Sequence, residues 1–267
     1  MPHTSGPAPA TAATDGDPIG PIPPAGSWRW RSIARHGLSW LPRQCEVCAN
    51  WGRQTLCTEC MDRLAIPGCR CPRCALPVAA PGPGGQACGD CLRHPHAFDR
   101  AVAVVDYVFP WDRLITRMKF HQRPDLARAL APALAETVLR AAVPRPDVLV
   151  PMPASRSRLI ERGYNQAWEL CRSLACQLHL PARDDLLVRG DGVQHQVGLT
   201  RVEREANLRH ALWVEPARHA ACAGRTMALI DDVMTTGASA DAAAHALRLA
   251  GASSIQVWVV ARTPLEG

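Results

Sequence analysis

The chain has 267 residues, 47% of them hydrophobic and 20% charged, which is enough for one domain with a substantial core plus a smaller module and unlike a disordered polymer, a collagen or a coiled coil. The net charge of +6 comes from 30 basic against 24 acidic residues, and Lys119 is the only lysine, so the excess is too mild to mark a nucleic-acid binder by itself. No apolar run approaches the roughly 18 residues of a membrane-spanning helix and no secretory leader pattern opens the chain, so the expectation is a cytoplasmic protein without membrane insertion.

Residues Met1 to Ser27 are dominated by Pro, Ala, Gly and Thr with almost nothing to bury, the composition of a disordered tail. Trp28, Trp30 and Trp40 then stand among Arg29, Arg31 and Arg35 in a short amphipathic lead-in suited to packing on the body or touching a partner. From Cys45 onward come four Cys-x-x-Cys pairs: Cys45/Cys48, Cys57/Cys60, Cys71/Cys74 and Cys88/Cys91. Two thiolates three positions apart grip one tetrahedral metal from a tight turn, and two such knuckles close a four-cysteine zinc site. These eight cysteines therefore predict one or two structural Zn²⁺ ions, with the knuckles paired either sequentially or interleaved. Cys69, Cys171, Cys176 and Cys222 lack the spacing and read as core or incidental thiols.

After His96 the texture changes. Ala101 to Phe109 has the β-branched and aromatic content of a buried strand, and helical spacing of apolar residues follows over Trp111–Phe120 and again over Asp125–Ala142. Asp147–Pro153 is a short apolar strand, with a helix from Tyr164 to about Leu178. A polar stretch over residues 189–212 leads to a strand at Arg225–Ile230, a helix at Ala240–Gly251 and a last strand at Ser254–Ala261. Strands alternating with helices predict an α/β fold with a mostly parallel sheet covered on both faces. The expected boundaries are 1–40 for the tail and lead-in, 41–96 for the double zinc-knuckle module and 97–267 for the α/β domain.

The segment Met227 to Ala240 (MALIDDVMTTGASA) carries the chemistry. A buried strand delivers Asp231 and Asp232 to its C-terminal end, where α/β sheets bind ligands. Thr235, Thr236, Gly237, Ala238 and Ser239 follow at a helix start, where free backbone N–H groups, hydroxyls and the helix dipole form an anion site. Paired carboxylates beside a phosphate cradle suit a phosphorylated sugar. A threonine N-cap followed by solvated aspartates would account for Thr235 or Thr236, but not for an acidic pair ending an apolar strand.

This motif resembles the PRPP-binding signature of type I phosphoribosyltransferases. The resemblance implies that Asp231 and Asp232 contact the ribose hydroxyls, directly or through a Mg²⁺ shell, and that Thr235 to Ser239 bind the 5-phosphate. Leu149 to Ala167 resembles the pyrophosphate-loop region of the ComF/GntX branch of that family through its proline-rich turn, its arginines and the element Arg162-Gly163-Tyr164-Asn165-Gln166. There Met152, Pro153, Ala154 and Ser155 would supply loop amides, while Arg156 and Arg158 would neutralise a leaving diphosphate. Gln196, Leu199, Arg204 and Asn207 resemble the branch's Q-x-x-L and R-x-x-N segment, which implies a hood over the site. His195, in the same polar loop, reads as a solvated histidine rather than a general base.

The cysteine pairs and the ending QVWVVART fit the same branch, so the resemblance covers Cys45 to Thr263 and implies a type I phosphoribosyltransferase fold over 97–267. Two departures matter. Purine-salvage members often carry an aspartate base where this chain has Thr235, and amidophosphoribosyltransferases need an N-terminal cysteine where this chain has Met1-Pro2. No catalytic acid or base is therefore singled out. Two functions of different class are implied: a Mg²⁺-dependent, PRPP-using transferase, or a DNA-uptake accessory in which the zinc module and arginines hold single-stranded DNA, with Trp28, Trp30, Trp40 or Trp51 for stacking. In a third arrangement the zinc module only braces the transferase-like domain.

Overall fold

The computed structural model describes residues 41–65, 68–79, 86–190 and 211–264. A cysteine-rich region comes first. Strands β1 (Arg43–Gln44) and β2 (Trp51–Gly52) pair antiparallel, and two short helices follow, α1 (Thr58–Leu64) and α2 (Gly89–Arg93). With so few large apolar residues, it has only a small cluster of its own, Cys71, Cys74, Leu76 and Cys91, and buries Leu56 against the layers of the sheet domain.

Apolar strands then build a four-stranded sheet: β3 (Arg100–Asp106), β4 (Val148–Pro151), β7 (Thr226–Met234) and β8 (Ser254–Arg262), in the order β3-β8-β7-β4 with every pairing parallel. Between them run α3 (Trp111–Phe120), α4 (Pro124–Arg140), α5 (Arg156–Arg162) and α6 (Gln166–Leu178), with α7 (Ala238–Leu249) joining β7 to β8. A separate antiparallel pair consists of β5 (Leu187–Arg189) and β6 (Leu212–Val214).

The period of two along each strand sorts side chains into two layers. Ala101, Ala103, Val148, Val150, Met227, Leu229, Val257 and Val259 face α7 together with Leu187 and Leu212. Val102, Val104, Leu149, Ala228, Ile230, Trp258 and Val260 face α3, α4 and α6 through Leu114, Met118, Leu130, Leu134, Leu170 and Leu174. Both faces are covered, so the strands read as continuous apolar runs. Cys171 and Cys222 are buried within these layers, whereas Cys69 and Cys176 are exposed.

Several boundaries differ from the sequence expectation. The first strand stops at Asp106 rather than Phe109. Asn165 accepts the Ala167 N–H at 3.0 Å and so starts α6 at Gln166, two residues after the expected Tyr164. Arg156 and Arg158, which read either as diphosphate-neutralising residues or as a solvated helix start, do lie at the start of a helix, α5: Ser155 Oγ accepts the Arg158 N–H at 3.4 Å to open it, and Gly163, at φ +78°, closes it in the left-handed region that favours glycine. Strand β7 runs past Ile230 to Met234, because its main chain keeps pairing with β8 through Asp231↔Val259, Val233↔Ala261 and Met234↔Arg262. The acidic pair thus lies inside a strand rather than beyond it. Among the described residues no helix is long and apolar enough to cross a membrane.

Trp258 is only 1% exposed and its indole N–H donates to Gln256 Oε1 at 3.1 Å. Trp258→Ala is expected to cost about 3–5 kcal/mol, read by urea denaturation, because the layer cannot collapse around so large a void.

Candidate functional site

The eight paired cysteines form two groups of four, Cys45/Cys48/Cys57/Cys60 and Cys71/Cys74/Cys88/Cys91, with all sulfurs of a group within 4.8 Å of one another. The knuckles are therefore paired sequentially. A tetrahedral ion with metal–sulfur bonds of about 2.3 Å sets sulfurs about 3.8 Å apart. The Cys48–Cys57, Cys71–Cys91 and Cys74–Cys88 separations are 3.8, 3.9 and 3.7 Å, so both groups are compatible with structural zinc. The two groups share a local design. In each, the alanine after a knuckle's second cysteine adopts a left-handed backbone, Ala49 at φ 59° and Ala75 at φ 57°, and returns its N–H to the knuckle's first cysteine carbonyl, at 2.9 and 2.8 Å.

Backbone amides also aim at one sulfur in each group. Burial raises the Cys45 thiol, but N–H groups of Cys48, Cys57 and Val47 outweigh it and bring the pKa down to about 6. Cys71, likewise buried, is brought down to about 7 by amides of Cys88, Cys74 and Arg73. Burial pushes Cys60 and Cys91 up instead. Each group thus holds one sulfur ready as thiolate, the form a metal takes.

The cysteine-rich region grips the sheet layers at several points. Arg123 Nη2 donates to Glu46 at 2.6 Å and to Asp125 at 2.8 Å, Arg117 also pairs with Glu46, and Trp111 Nε1 donates to the Leu64 carbonyl at 3.2 Å. Arg70 joins Asp106 at 2.8 Å. The most central contact is Arg262, 3% exposed, whose guanidinium donates to the Cys74 carbonyl at 2.9 Å, to Met234 at 3.0 Å and Thr263 at 2.8 Å, and to the Thr235 carbonyl. His96 Nδ1 meets Asp241 Oδ2 at 2.7 Å, and the Ala97 N–H donates to the same carboxylate at 2.8 Å, tying the chain before β3 to the first turn of α7.

A cleft of about 290 Å³ opens at the C-terminal edge of the sheet. Alternation along β7 sends Asp231 to the α7 side and Asp232 to the side of α3, where Lys119 Nζ lies 3.1 Å from Asp232 Oδ2. That contact is an ion pair without hydrogen-bond alignment, since the buried Oδ2 has no hydrogen-bond partner. The Asp232 N–H donates to Asp231 Oδ1 at 2.8 Å. Burial, and then the adjacent Asp232, push the Asp231 carboxyl well above the usual carboxylate range, with the Lys119 charge opposing. Arg158 and Arg189 line the same cleft, and neither has an ion-pair partner among the described residues. Burial and the like charge of Arg158 lower the Arg189 pKa.

The expected site residues fall as follows. Thr235 and Ser239 line the cleft, and Thr236, Gly237 and Ala238 form the turn into α7. The N-cap is Gly237, at φ 88°, rather than a threonine, and no side chain caps the helix, although Thr236 Oγ1 accepts the Ala238 N–H at 3.3 Å. A Cβ at Gly237 would meet the His96 ring at 3.4 Å in a backbone region that L side chains avoid. Met152, Pro153 and Ala154 line the cleft. Ser155 is spent on capping α5, and Arg158, two positions along that helix from Arg156, is the arginine that reaches the cleft. Gln196, Arg204, Asn207 and His195 lie outside the described residues, as do Trp28, Trp30 and Trp40. Reading the sequence did not single out Lys119 or Arg189 for the site. The only signal for Lys119 was its being the sole lysine, and Arg189 had none.

No family model matches the chain. The DNA utilization protein YhgH of Salmonella typhi is 34% identical over 233 residues, covering 85% of this chain and 97% of that protein. Competence protein F of Haemophilus influenzae is 33% identical over 181 residues, covering 66% of this chain and 79% of that protein. Among solved structures, the glutamine PRPP amidotransferase from B. subtilis overlaps at 16% identity and a TM-score of 0.38, covering 54% of this chain and 30% of that one.

Two outcomes are expected. Chelation of metal should expose residues 45–91 to protease before the sheet layers unfold, and unchanged resistance after full metal removal would show that the cysteine groups do not hold this region together. Arg262→Met should lower stability by about 3 kcal/mol in urea denaturation, because it strands buried carbonyls that one charged donor now serves.

Proposed function

Because the chain belongs to the ComF/GntX family, that of the DNA utilization protein YhgH and competence protein F, we propose that it binds PRPP with Mg²⁺, or a related phosphorylated sugar, and transfers the phosphoribosyl group to an acceptor that no residue here identifies. One observation carries the reading: the half-buried Asp231, the buried Asp232 and two arginines without an ion-pair partner among the described residues converge in one cleft beside the N-terminus of α7, which no side chain caps. Structural bracing does not explain this gathering, since partly buried arginines with no acidic partner among the described residues add no stability of their own.

In this reading the amides at the start of α7, with Thr235 and Ser239, take the 5-phosphate. The Asp231 and Asp232 carboxylates accept from the ribose hydroxyls. Arg158 and Arg189 take the charge that grows on the departing diphosphate, which is the larger part of what such a transfer needs from a protein. The pair's hard oxygens suit Mg²⁺, which when bound would neutralise diphosphate charge. Met152 to Ala154 confine the ligand against the sheet edge and limit access of water.

A second reading is favoured by Trp51, 70% exposed on β2 and two positions before Arg53, which with Arg43 borders an open groove. An exposed aromatic platform near cations suits single-stranded DNA, and the name of the YhgH relative points to DNA use. In that reading the cleft is a regulatory or vestigial sugar-phosphate site.

Calorimetric titration with PRPP and Mg²⁺, beside the Asp231→Asn/Asp232→Asn double variant at constant salt, tests the proposal. Saturable binding that the double variant loses is expected, and no binding to either protein would refute it. Single-strand DNA binding that falls steeply with salt and drops on Trp51→Ala would favour the second reading.

A further inference from the structure

Lys119 is the only lysine among 30 Lys and Arg residues, and it is the basic residue set against buried Asp232. The two side chains differ in what remains after pairing. A guanidinium in this position would engage a carboxylate with a planar fork and keep its remaining donors fixed in that plane, whereas an ammonium has three donors in tetrahedral array that can turn out of it. At Asp232 the ammonium sits 3.1 Å from Oδ2 without hydrogen-bond alignment, and its side chain keeps 22% exposure where it lines the cleft. Its donors are therefore left for something in the cleft.

The charge around it points to the class of that something. Lys119, Arg158 and Arg189 face Asp231 and Asp232 within one cleft, three cations against two carboxylates, and neither arginine has an ion-pair partner among the described residues. Hydroxyls alone would satisfy the carboxylates and leave the cations unmatched. A ligand that carries hydroxyls and at least one phosphoryl group matches both.

We propose that Lys119 is a ligand-contacting residue whose ammonium, anchored on Asp232, donates to a phosphoryl oxygen of a phosphorylated sugar bound between the acidic pair and Arg158. This rests on the reading of the cleft as a sugar-phosphate site. It adds a contact from α3, an element that none of the motif resemblances includes. The end of α3 is held in place for this by Tyr164, whose hydroxyl donates to the Met118 carbonyl, and by Arg162 stacked 4.8 Å over the Phe120 ring.

A single ε-amine makes the test direct. The whole protein is acylated with an amine-reactive ester, and the rate at Lys119 is followed by peptide mass spectrometry, with the chain's α-amino group as internal control. PRPP with Mg²⁺, ribose 5-phosphate, pyrophosphate and inorganic phosphate are the probes. At ten times the Kd found by calorimetry, a contacting ligand should slow acylation of Lys119 by about tenfold and leave the α-amine unchanged. PRPP that binds, and that the Asp231→Asn/Asp232→Asn variant loses, while Lys119 reacts at its free rate, would overturn the Lys119 contact and leave the proposed function standing. Protection by pyrophosphate or inorganic phosphate without PRPP binding would support the contact and overturn the PRPP reading. Protection by none of the four would overturn the contact.

Discussion

One buried guanidinium holds the functional end of the molecule together. Arg262, the last residue of β8, reaches the Cys74 carbonyl of the second cysteine group and the carbonyls of Met234 and Thr235 at the end of β7. The charge is tolerated in the interior because several oxygens share it. Its consequence is that the turn into α7 and the second cysteine group occupy one rigid frame. The start of α7 and one Cys-x-x-Cys knuckle are thereby coupled through a single side chain. The contact of His96 and Ala97 with Asp241 in the first turn of α7 works in the same direction.

The cysteine-rich region owes its order to sulfur rather than to a core. Its own apolar cluster is little more than cysteines and Leu76, with Leu56 packed on the sheet layers, so two groups of four sulfurs positioned for a metal stand where a larger core would otherwise be needed. The left-handed alanines show how tightly each knuckle is wound, since both positions accept a conformation disfavoured for a residue with a Cβ in order to return an N–H to the knuckle. The region is not appended loosely. The Glu46 contacts of Arg117 and Arg123 and the Trp111 contact with Leu64 seat it on the first turns of α4 and along α3.

The acidic pair illustrates how strand geometry makes chemistry. Adjacent residues on a strand point to opposite faces, so Asp231 and Asp232 enter different surroundings although they are neighbours in sequence. Asp232 finds Lys119 on the α3 side, and the cleft that Asp231 also lines holds Arg158 and Arg189, which have no ion-pair partner among the described residues. The result is one neutralised carboxylate and one held high by burial and by its neighbour.

Much of this was legible in the sequence, for identifiable reasons. The Cys-x-x-Cys spacing, the alternation of apolar strands with helices and the Asp-Asp-x-x-Thr-Thr-Gly turn are local patterns, and local backbone geometry converts them directly into knuckles, a parallel sheet and a helix start. Strand β7 was misjudged only at its end, because pairing with β8 decides where a strand stops and no local pattern records it. The sequential pairing of the knuckles was equally open, since four equivalent Cys-x-x-Cys units are distinguished only by which sulfurs the chain brings within 4.8 Å. Arg189 and Lys119 carried no motif. They reach the cleft because β5 and α3, distant from each other and from β7 in sequence, end at the same edge of the sheet, and Arg262 binds Cys74 across 188 positions. The sequence by itself determined the elements and the chemistry each could offer; the tertiary structure decided which charges meet, because convergence of distant side chains is a property of packing and not of any local stretch of chain.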